Sequence, residues 1–135
     1  MNVRFVAGFS PIVDSLKSER DFYERGLGLP VQSEGTGDYS TIELPGVKHF
    51  GLWTLADAAR STFGSEEWPA ATPRPQATLE LEVDDVFAAA DELIGRGLQL
   101  LQEPKTEPWG QITARLLSPE GLLVGITYTP ALRDE

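Results

Sequence analysis

Residues 13–29 read VDSLKSERDFYERGLGL, and residues 83–100 read VDDVFAAADELIGRGLQL. Both segments begin with Val-Asp followed by a polar residue, and both end in an Arg-Gly-Leu-x-Leu motif. The Val-Asp pairs lie 70 positions apart (83 − 13) and the Arg-Gly-Leu motifs lie 71 apart (96 − 25), so the register is kept across the whole stretch. This repeat predicts one supersecondary unit that occurs twice in the chain.

Each copy of the repeat predicts an amphipathic helix. Apolar side chains recur at helical spacing in both copies, and Ser15 and Asp85 stand where a side chain caps the first turn. Gly26 and Gly97 follow the periodic stretches, where glycine ends many helices. We therefore predict one helix in each half of the chain, closed by a glycine.

One strand is predicted before each helix and three short strands after it. Alternating patterns bounded by Gly and Pro turns place these strands at 4–12, 30–33, 39–44 and 48–54, and again at 77–83, 99–103, 111–117 and 122–128. The Pro-rich segment 65–76 is predicted to be a linker, after a short helical turn at 55–60. We predict a single α+β domain over 1–135, with a first βαβββ module (1–64), the linker, and a second module (77–130). Curved mixed sheets would surround a cleft, with the helices on the outer faces.

The composition restricts the classes of function. The 135 residues contain no cysteine, which excludes disulfides, thiolate metal sites and cysteine nucleophiles. Eleven Lys and Arg against 21 Asp and Glu give a net charge of −10, which disfavours binding to nucleic acid or to anionic membranes. The sequence has no signal-peptide pattern and no apolar run long enough to span a membrane. We therefore expect a soluble, unprocessed cytoplasmic protein.

The order of these segments resembles the vicinal-oxygen-chelate superfamily, which includes glyoxalases, extradiol dioxygenases, fosfomycin-inactivating transferases and bleomycin resistance proteins. The resemblance rests on the helix at 13–29, on LELEVDDV at 79–86 and on EPWGQITARLLSPEGLLVGI at 107–126. It implies the glyoxalase/bleomycin-resistance fold. In the metal-using members, the first and fourth strands of each half supply the ligands.

The resemblance places the four ligand positions on Gly8, Gly51, Thr78 and Gly125. Glycine has no side-chain donor, and the chain contains one histidine, His49, so we expect a protein without metal or other cofactor. The alternative is weak binding of a hard cation by Glu80 and Glu82. Without a metal, Gly125 would mark the floor of a cleft with room for a larger organic ligand.

Strand alternation predicts which side chains face this cleft. On the fifth strand the polar set, Thr78, Glu80 and Glu82, faces inward because the apolar set must face the helices. Aromatic faces beside carboxylates suit a flat or cationic organic guest. The candidate ligand-binding residues are Trp53, Trp109, Glu80, Glu82, His49, Ser10, Thr78 and Gly125.

Several candidates have a structural alternative. Trp53 is equally well explained as a core residue, Trp109 as part of a turn, and His49 as a half-exposed strand residue. A cross-strand partner such as Arg115 would make Glu80 structural. Three interpretations of Trp68 stay open: a residue of a lid, an anchor in an interface, or an exposed aromatic side chain.

Two classes of function follow from the resemblance. The first is metal-independent binding and sequestration of a small molecule, such as a cationic aromatic antibiotic, by a homodimer of the bleomycin-resistance type without catalytic residues. The second is a glyoxalase-like lyase or isomerase, or a dioxygenase-type enzyme, acting on a small organic substrate; a cofactor-free version would use Glu80 as base. A partner-binding module is a third alternative, and its concavity would be filled by its own side chains.

Overall fold

A computed structural model describes residues 1–33 and 39–133. The strands are β1 (Phe5–Val13), β2 (Val31–Ser33), β3 (Tyr39–Ile42), β4 (Gly51–Thr54), β5 (Ala77–Glu82), β6 (Gln102–Thr106), β7 (Ile112–Leu117) and β8 (Leu123–Tyr128). The helices are α1 (Leu16–Arg20), which continues as a π-helical segment (Asp21–Gly26), α2 (Leu55–Phe63) and α3 (Val86–Gly95), and a 3₁₀ turn follows β8 (Pro130–Leu132).

All eight strands belong to one curved sheet in the order β2-β3-β4-β1-β5-β8-β7-β6. β1 pairs in parallel with β4, and β5 pairs in parallel with β8, whereas β1 and β5 are antiparallel neighbours at the centre. Each half of the chain therefore contributes four adjacent strands. The arrangement confirms the predicted α+β class with a mixed, curved sheet.

The two faces of the sheet are covered differently. On one face, here called the helix face, α3 packs against a core that includes Val83 and Ile126, while Leu16 and Tyr23 pack against Leu52. The opposite face, here called the cavity face, is partly covered by α2. Its core consists of Trp53, Ala58 and Leu123, with Ile12, Trp68 and Leu101 packed against it. Helices therefore lie on both faces of the sheet: the helices of the repeat lie on the helix face, and α2, which was predicted only as a short turn, lies on the cavity face.

Helix ends differ in detail from the prediction. The Asp85 carboxylate accepts a hydrogen bond from the N–H of Ala88 at 3.0 Å, as expected of a cap, whereas the Ser15 side chain makes no capping bond. Gly97 adopts φ +90° after α3. In the first half, Gly28 and not Gly26 has the positive φ, +76°, because the π-helical segment extends the helix through Gly26.

Three other elements begin or end three residues away from their predicted positions. The expected helical turn at 55–60 is the nine-residue α2, capped by the Thr54 hydroxyl at 3.1 Å from the Asp57 N–H. β4 is shorter than predicted, since Phe50 forms only an isolated bridge to Phe9. β6 begins at Gln102 instead of residue 99. Residues 98–100 form an irregular segment after the turn at Gly97, and hydrogen bonding to β7 starts with the Leu101 N–H, which donates to the Arg115 carbonyl.

Candidate ligand-binding site

A cavity of about 470 Å³ opens on the cavity face of the sheet, a volume within the range of small-molecule sites. Six predicted ligand-binding residues line it: Ser10, His49, Trp53, Thr78, Glu80 and Trp109. Their roles in binding stay predictions. The other lining residues were not predicted: Ala7, Thr41, Lys48, Asp57, Gln111, Thr129, Ala131 and Leu132.

Glu80 lies between two glycines in the sheet. Gly8 is its partner on β1 and Gly125 is its partner on β8. A Cβ atom added to Gly8 would lie 3.5 Å from Glu80 Oε1, and one added to Gly125 would lie 3.3 Å from Glu80 Cγ. The two glycines therefore leave room for the Glu80 side chain, which projects toward the cavity.

The same geometry corrects the predicted role of Gly125. The backbone at Gly125 is approached closely, as its residue type suggests, but the approaching group is the Glu80 side chain together with the Thr127 methyl. Gly125 is not among the described residues that line the cavity. The floor of the cavity at this point is the carboxylate itself.

Gln111 connects Glu80 to Trp109. Its Nε2 donates to Glu80 Oε1 at 3.2 Å, and its Oε1 accepts from the indole Nε1 of Trp109 at 2.8 Å. Gln111 is buried, whereas Trp109 is 55% exposed at the mouth of the cavity. A glutamine directly after the Trp-Gly turn was the available sequence signal, but nothing in the chain pattern indicated its partners.

Trp53 is both a core residue and part of the cavity wall. Its ring is 6% exposed, packs in the core with Ala58 and Leu123, and still lines the cavity. Its indole Nε1 donates to the Asp57 carboxylate at the start of α2. Both interpretations of this residue therefore describe part of its environment.

Arg115 is not the partner of Glu80. Its Nη1 donates to Glu107 Oε2 at 2.9 Å, to Gln102 Oε1 at 2.6 Å and to Ser61 Oγ at 2.7 Å. The Arg115 and Glu107 side chains are 0% and 1% exposed. The ion pair links β7 to α2 through Ser61, and Glu80 is left to other partners.

Glu82 does not face the cavity, contrary to the prediction. Its carboxylate is fully buried and accepts from Arg133 Nε at 2.9 Å, from the Thr129 N–H at 2.6 Å, and from the hydroxyls of Thr127 and Thr129 at 3.1 and 2.8 Å. Alternation places Glu82 on the correct face, but the C-terminal segment folds over it. Glu82 therefore holds the 3₁₀ turn whose Ala131 and Leu132 line the cavity.

Arg133 also binds Asp84, at 2.7 Å from Oδ1. The hydrogen bond to Asp84, followed by the bond to Glu82, raises the pKa of Arg133 above its usual value. Hydrogen bonding to Arg133, and more weakly to Arg4, lowers the pKa of Asp84. These contacts fix the position of the C-terminal wall of the cavity.

The structure also places His49 and Trp68. His49 precedes β4, lines the cavity, and its Cβ lies 3.5 Å from the Cβ position of Gly8. The Trp68 indole donates to the carbonyls of Thr72 and Pro73 at 3.1 and 3.0 Å, and its ring packs edge-on against Phe63. Trp68 is therefore anchored within the Pro-rich segment.

The ligand positions implied for a metal do not fit a divalent transition ion. Three of the four, Gly8, Gly51 and Gly125, have no side-chain donor, and such an ion needs three or four nitrogen, oxygen or sulfur ligands. Among residues 1–33 and 39–133, no group of three or more His, Asp or Glu side chains is arranged to hold a metal. The chemistry of this site is therefore derived from its own side chains.

The family sequence model of the Glyoxalase/Bleomycin resistance protein/Dioxygenase superfamily matches residues 9–126, and the chain belongs to this superfamily. The resemblance inferred from the sequence is thereby confirmed at superfamily level. No curated protein matches the chain. Within the described part of the chain, no helix is long and apolar enough to cross a membrane.

Solved structures share the fold at low sequence identity. A methylmalonyl-CoA epimerase in complex with methylmalonyl-CoA and NH4+ has a TM-score of 0.62 and 12% identity, covering 99% of this chain and 100% of that chain. The epimerase from Mycobacterium tuberculosis has a TM-score of 0.61 and 16% identity, covering 96% and 91%. A superfamily member from Vibrio splendidus 12B01 has a TM-score of 0.59 and 17% identity, covering 95% and 100%. At these identities the likeness extends to the fold alone.

Proposed function

We propose that the cavity binds a small organic molecule that carries a flat ring and a positively charged amine. One observation carries the proposal: Glu80 lines a cavity that Trp53 and Trp109 also line, and within residues 1–33 and 39–133 the hydrogen-bond donor to its carboxylate is the neutral amide of Gln111. Glu80 is half-buried, and a carboxylate that is partly shielded from water favours a cationic partner. A ligand ammonium supplies that partner.

The two tryptophans explain the flat part of the ligand. Trp53 and Trp109 both line the cavity. An indole can stack on an aromatic ring of the ligand or attract a ligand cation, and each interaction contributes about 0.5–2 kcal/mol. Ser10 and Thr78, which both line the cavity, are cross-strand partners beside the Gly8–Glu80 pair. The site therefore offers apolar faces with a few polar groups on one wall, as expected of a small-molecule pocket.

Charge distinguishes this proposal from binding of a coenzyme A ester, such as the methylmalonyl-CoA bound in one of the epimerase structures. Such esters carry several phosphate charges, which require arginine or lysine partners. Among the described lining residues, Lys48 is the one lysine or arginine, and the chain has a net charge of −10. The site and the overall charge both favour a cation over a polyanion.

The proposal includes sequestration without turnover, as in the bleomycin resistance branch that the sequence resembles. Dimer formation, an antibiotic ligand and a cytoplasmic location stay predictions from that resemblance. A second candidate function is cofactor-free proton transfer, with Glu80 as base. It is favoured by the position of His49, which approaches Gly8 from the segment before β4, as Glu80 does from β5.

Calorimetric titration of three naphthalenes tests the binding proposal. 2-Naphthylmethylamine is cationic, 2-naphthylmethanol is its neutral analogue, and 2-naphthoate is anionic. We expect the amine to bind about tenfold more tightly than the alcohol, because a hydrogen bond to a charged group contributes about 1.5–3 kcal/mol. Glu80→Gln should remove this preference, and the control Glu103→Gln, at an exposed position on β6, should retain it. EDTA should have no effect.

Two outcomes would contradict the proposal. If none of the three compounds binds saturably, the cavity is not a site for flat organic molecules. If the carboxylate binds most tightly, Glu80 does not determine the charge preference. For the second candidate, proton NMR in D2O of 2-amino-1-(2-naphthyl)ethanone, a flat cationic ketone, would show faster loss of the α-proton signal with the wild-type chain than with Glu80→Gln.

A further inference from the structure

We infer that Gln111 is the specificity-determining residue of this cavity, because it occupies one oxygen of Glu80 and directs the site toward ligands with a single ammonium donor. Amidinium and guanidinium ligands, which bind both oxygens of a carboxylate, are then disfavoured. The inference rests on the proposed function. It concerns the geometry of the cation, whereas the proposed function concerns its charge.

The Gln111 amide has one orientation that satisfies its neighbours. An indole N–H only donates and an ionised carboxylate only accepts, so the amide oxygen must face Trp109 and the amide nitrogen must face Glu80. The second hydrogen on Nε2 is donated to Thr129 Oγ1 at 2.8 Å. Both hydrogens and the oxygen of this buried amide are therefore engaged.

A relay of hydrogen bonds keeps Gln111 in place. The Thr129 hydroxyl accepts from Gln111 and donates in turn to Glu82 Oε1 at 2.8 Å, and Glu82 is bound by Arg133. The relay joins the exposed Trp109 at the mouth to the C-terminal wall of the cavity. Moving Gln111 would break the three hydrogen bonds made by its buried amide, which is unfavourable.

The two oxygens of Glu80 consequently differ. Oε1 accepts from Gln111, while no group within the described residues donates to Oε2. An ammonium needs one acceptor and can use Oε2 without disturbing Gln111. An amidinium that donates to both oxygens competes with Gln111 for Oε1. The displaced amide would lose its hydrogen bond to Glu80, and its hydrogen bond with Trp109 would weaken.

The test compares 2-naphthylmethylamine with 2-naphthamidine by calorimetric titration. We expect the wild-type chain to prefer the amine, and Gln111→Met, which retains the side-chain length without the amide, to shift the ratio of the two dissociation constants about tenfold toward the amidine, the size expected for one hydrogen bond to a charged group. Gln99→Met, at an exposed position, is the matched control and should keep the wild-type ratio. A Gln111→Met chain that binds the amine with the wild-type ratio would overturn the inference.

A ligand-free measurement separates this inference from the proposed function. The chain has three tryptophans, so its ¹⁵N spectrum contains three indole N–H signals, and Trp109→Phe assigns the relevant one. Gln111→Met should shift the Trp109 signal and leave those of Trp53 and Trp68 in place. An unshifted signal would overturn the inference even if both ligands bind. Absence of binding with a shifted signal would contradict the proposed function alone.

Should Gln111→Met not fold, Gln111→Glu provides the second variant. An ionised glutamate can still accept from Trp109 but cannot donate to Glu80 or Thr129. The Trp109 signal should then stay close to its wild-type position while the amine-to-amidine ratio changes. A wild-type ratio in this variant would again overturn the assignment.

Discussion

The guanidinium of Arg115 lies over the ring of Trp53, with Cζ 5.3 Å from the ring centroid. Trp53 faces the cavity, so the wall of the site is supported by a buried cation. Arg115 is in turn neutralised by Glu107, and the pair contacts α2 through Ser61. The geometry of the cavity therefore depends on an ion pair that does not itself line the cavity.

Loss of Arg115 is expected to destabilise the chain strongly. Arg115→Met leaves Glu107 buried without its cation, which typically costs about 3–5 kcal/mol, and the double variant Arg115→Met/Glu107→Gln should recover much of the loss. Urea unfolding measures both effects. Arg74→Met, which removes the exposed contact with Asp14, is the control and should change stability by less than about 1 kcal/mol. Equal instability of the single and double variants would contradict this explanation.

The pKa of Asp84 is expected to depend on Arg133. Because hydrogen bonding to Arg133 lowers this pKa, Arg133→Gln should raise it toward its usual value, and NMR titration of the Asp84 carboxyl measures the change. A carboxyl whose pKa is lower in the folded than in the unfolded state stabilises the fold at pH values above its unfolded-state pKa. This contribution is lost as the pH falls through the folded-state pKa. Arg74→Gln, which lies elsewhere, should leave the Asp84 titration unchanged.

Substitution of the two helix caps should have unequal effects. Asp85→Ala removes a bond to the Ala88 N–H and should destabilise the chain by about 1 kcal/mol. Ser15→Ala removes no capping bond, so its effect should lie within about 0.5 kcal/mol. Thermal or urea unfolding of the two variants measures the difference. A larger loss at Ser15 than at Asp85 would show that the caps are assigned incorrectly.

Gly125→Ala tests the packing of Glu80. The new methyl would lie 3.3 Å from Glu80 Cγ, so the carboxylate must move while the fold is kept, and the preference for 2-naphthylmethylamine over 2-naphthylmethanol should fall. Gly95→Ala, at the end of α3, meets nothing within 4 Å and should be neutral or stabilise by up to about 1 kcal/mol. Ligand preference unchanged in Gly125→Ala would contradict the role assigned to this glycine.

Local pattern was sufficient to predict the order of the strands, the helix of each repeat and the cavity-facing side of β5. Ser10, Thr78 and Glu80 were placed correctly because alternation depends only on neighbouring residues. Glu82 follows the same alternation, but Arg133 covers it, and the 51 positions between them leave no local signal. Partners so far apart are determined by tertiary packing.

The same limit explains the residues that were missed. Ala7 enters the cavity through an irregularity in the pairing of β1 with β5, and Asp57 does so because the short helical turn at 55–60 is a full helix on the cavity face. Gln111 is a single polar residue at a strand start, and its importance depends on Trp109, Glu80 and Thr129 together. Hydrogen-bond networks of this kind have no periodic signature.

The central pairing of β1 with β5 has a consequence for self-association. In a separate half, each of these strands would present a row of unpaired backbone groups, a ready template for aggregation. Joined to each other, they leave β2 and β6 as the outer strands. β2 has three residues, and β6 contains Pro104, Lys105 and a register shift. Both edge strands therefore disfavour the addition of a further strand.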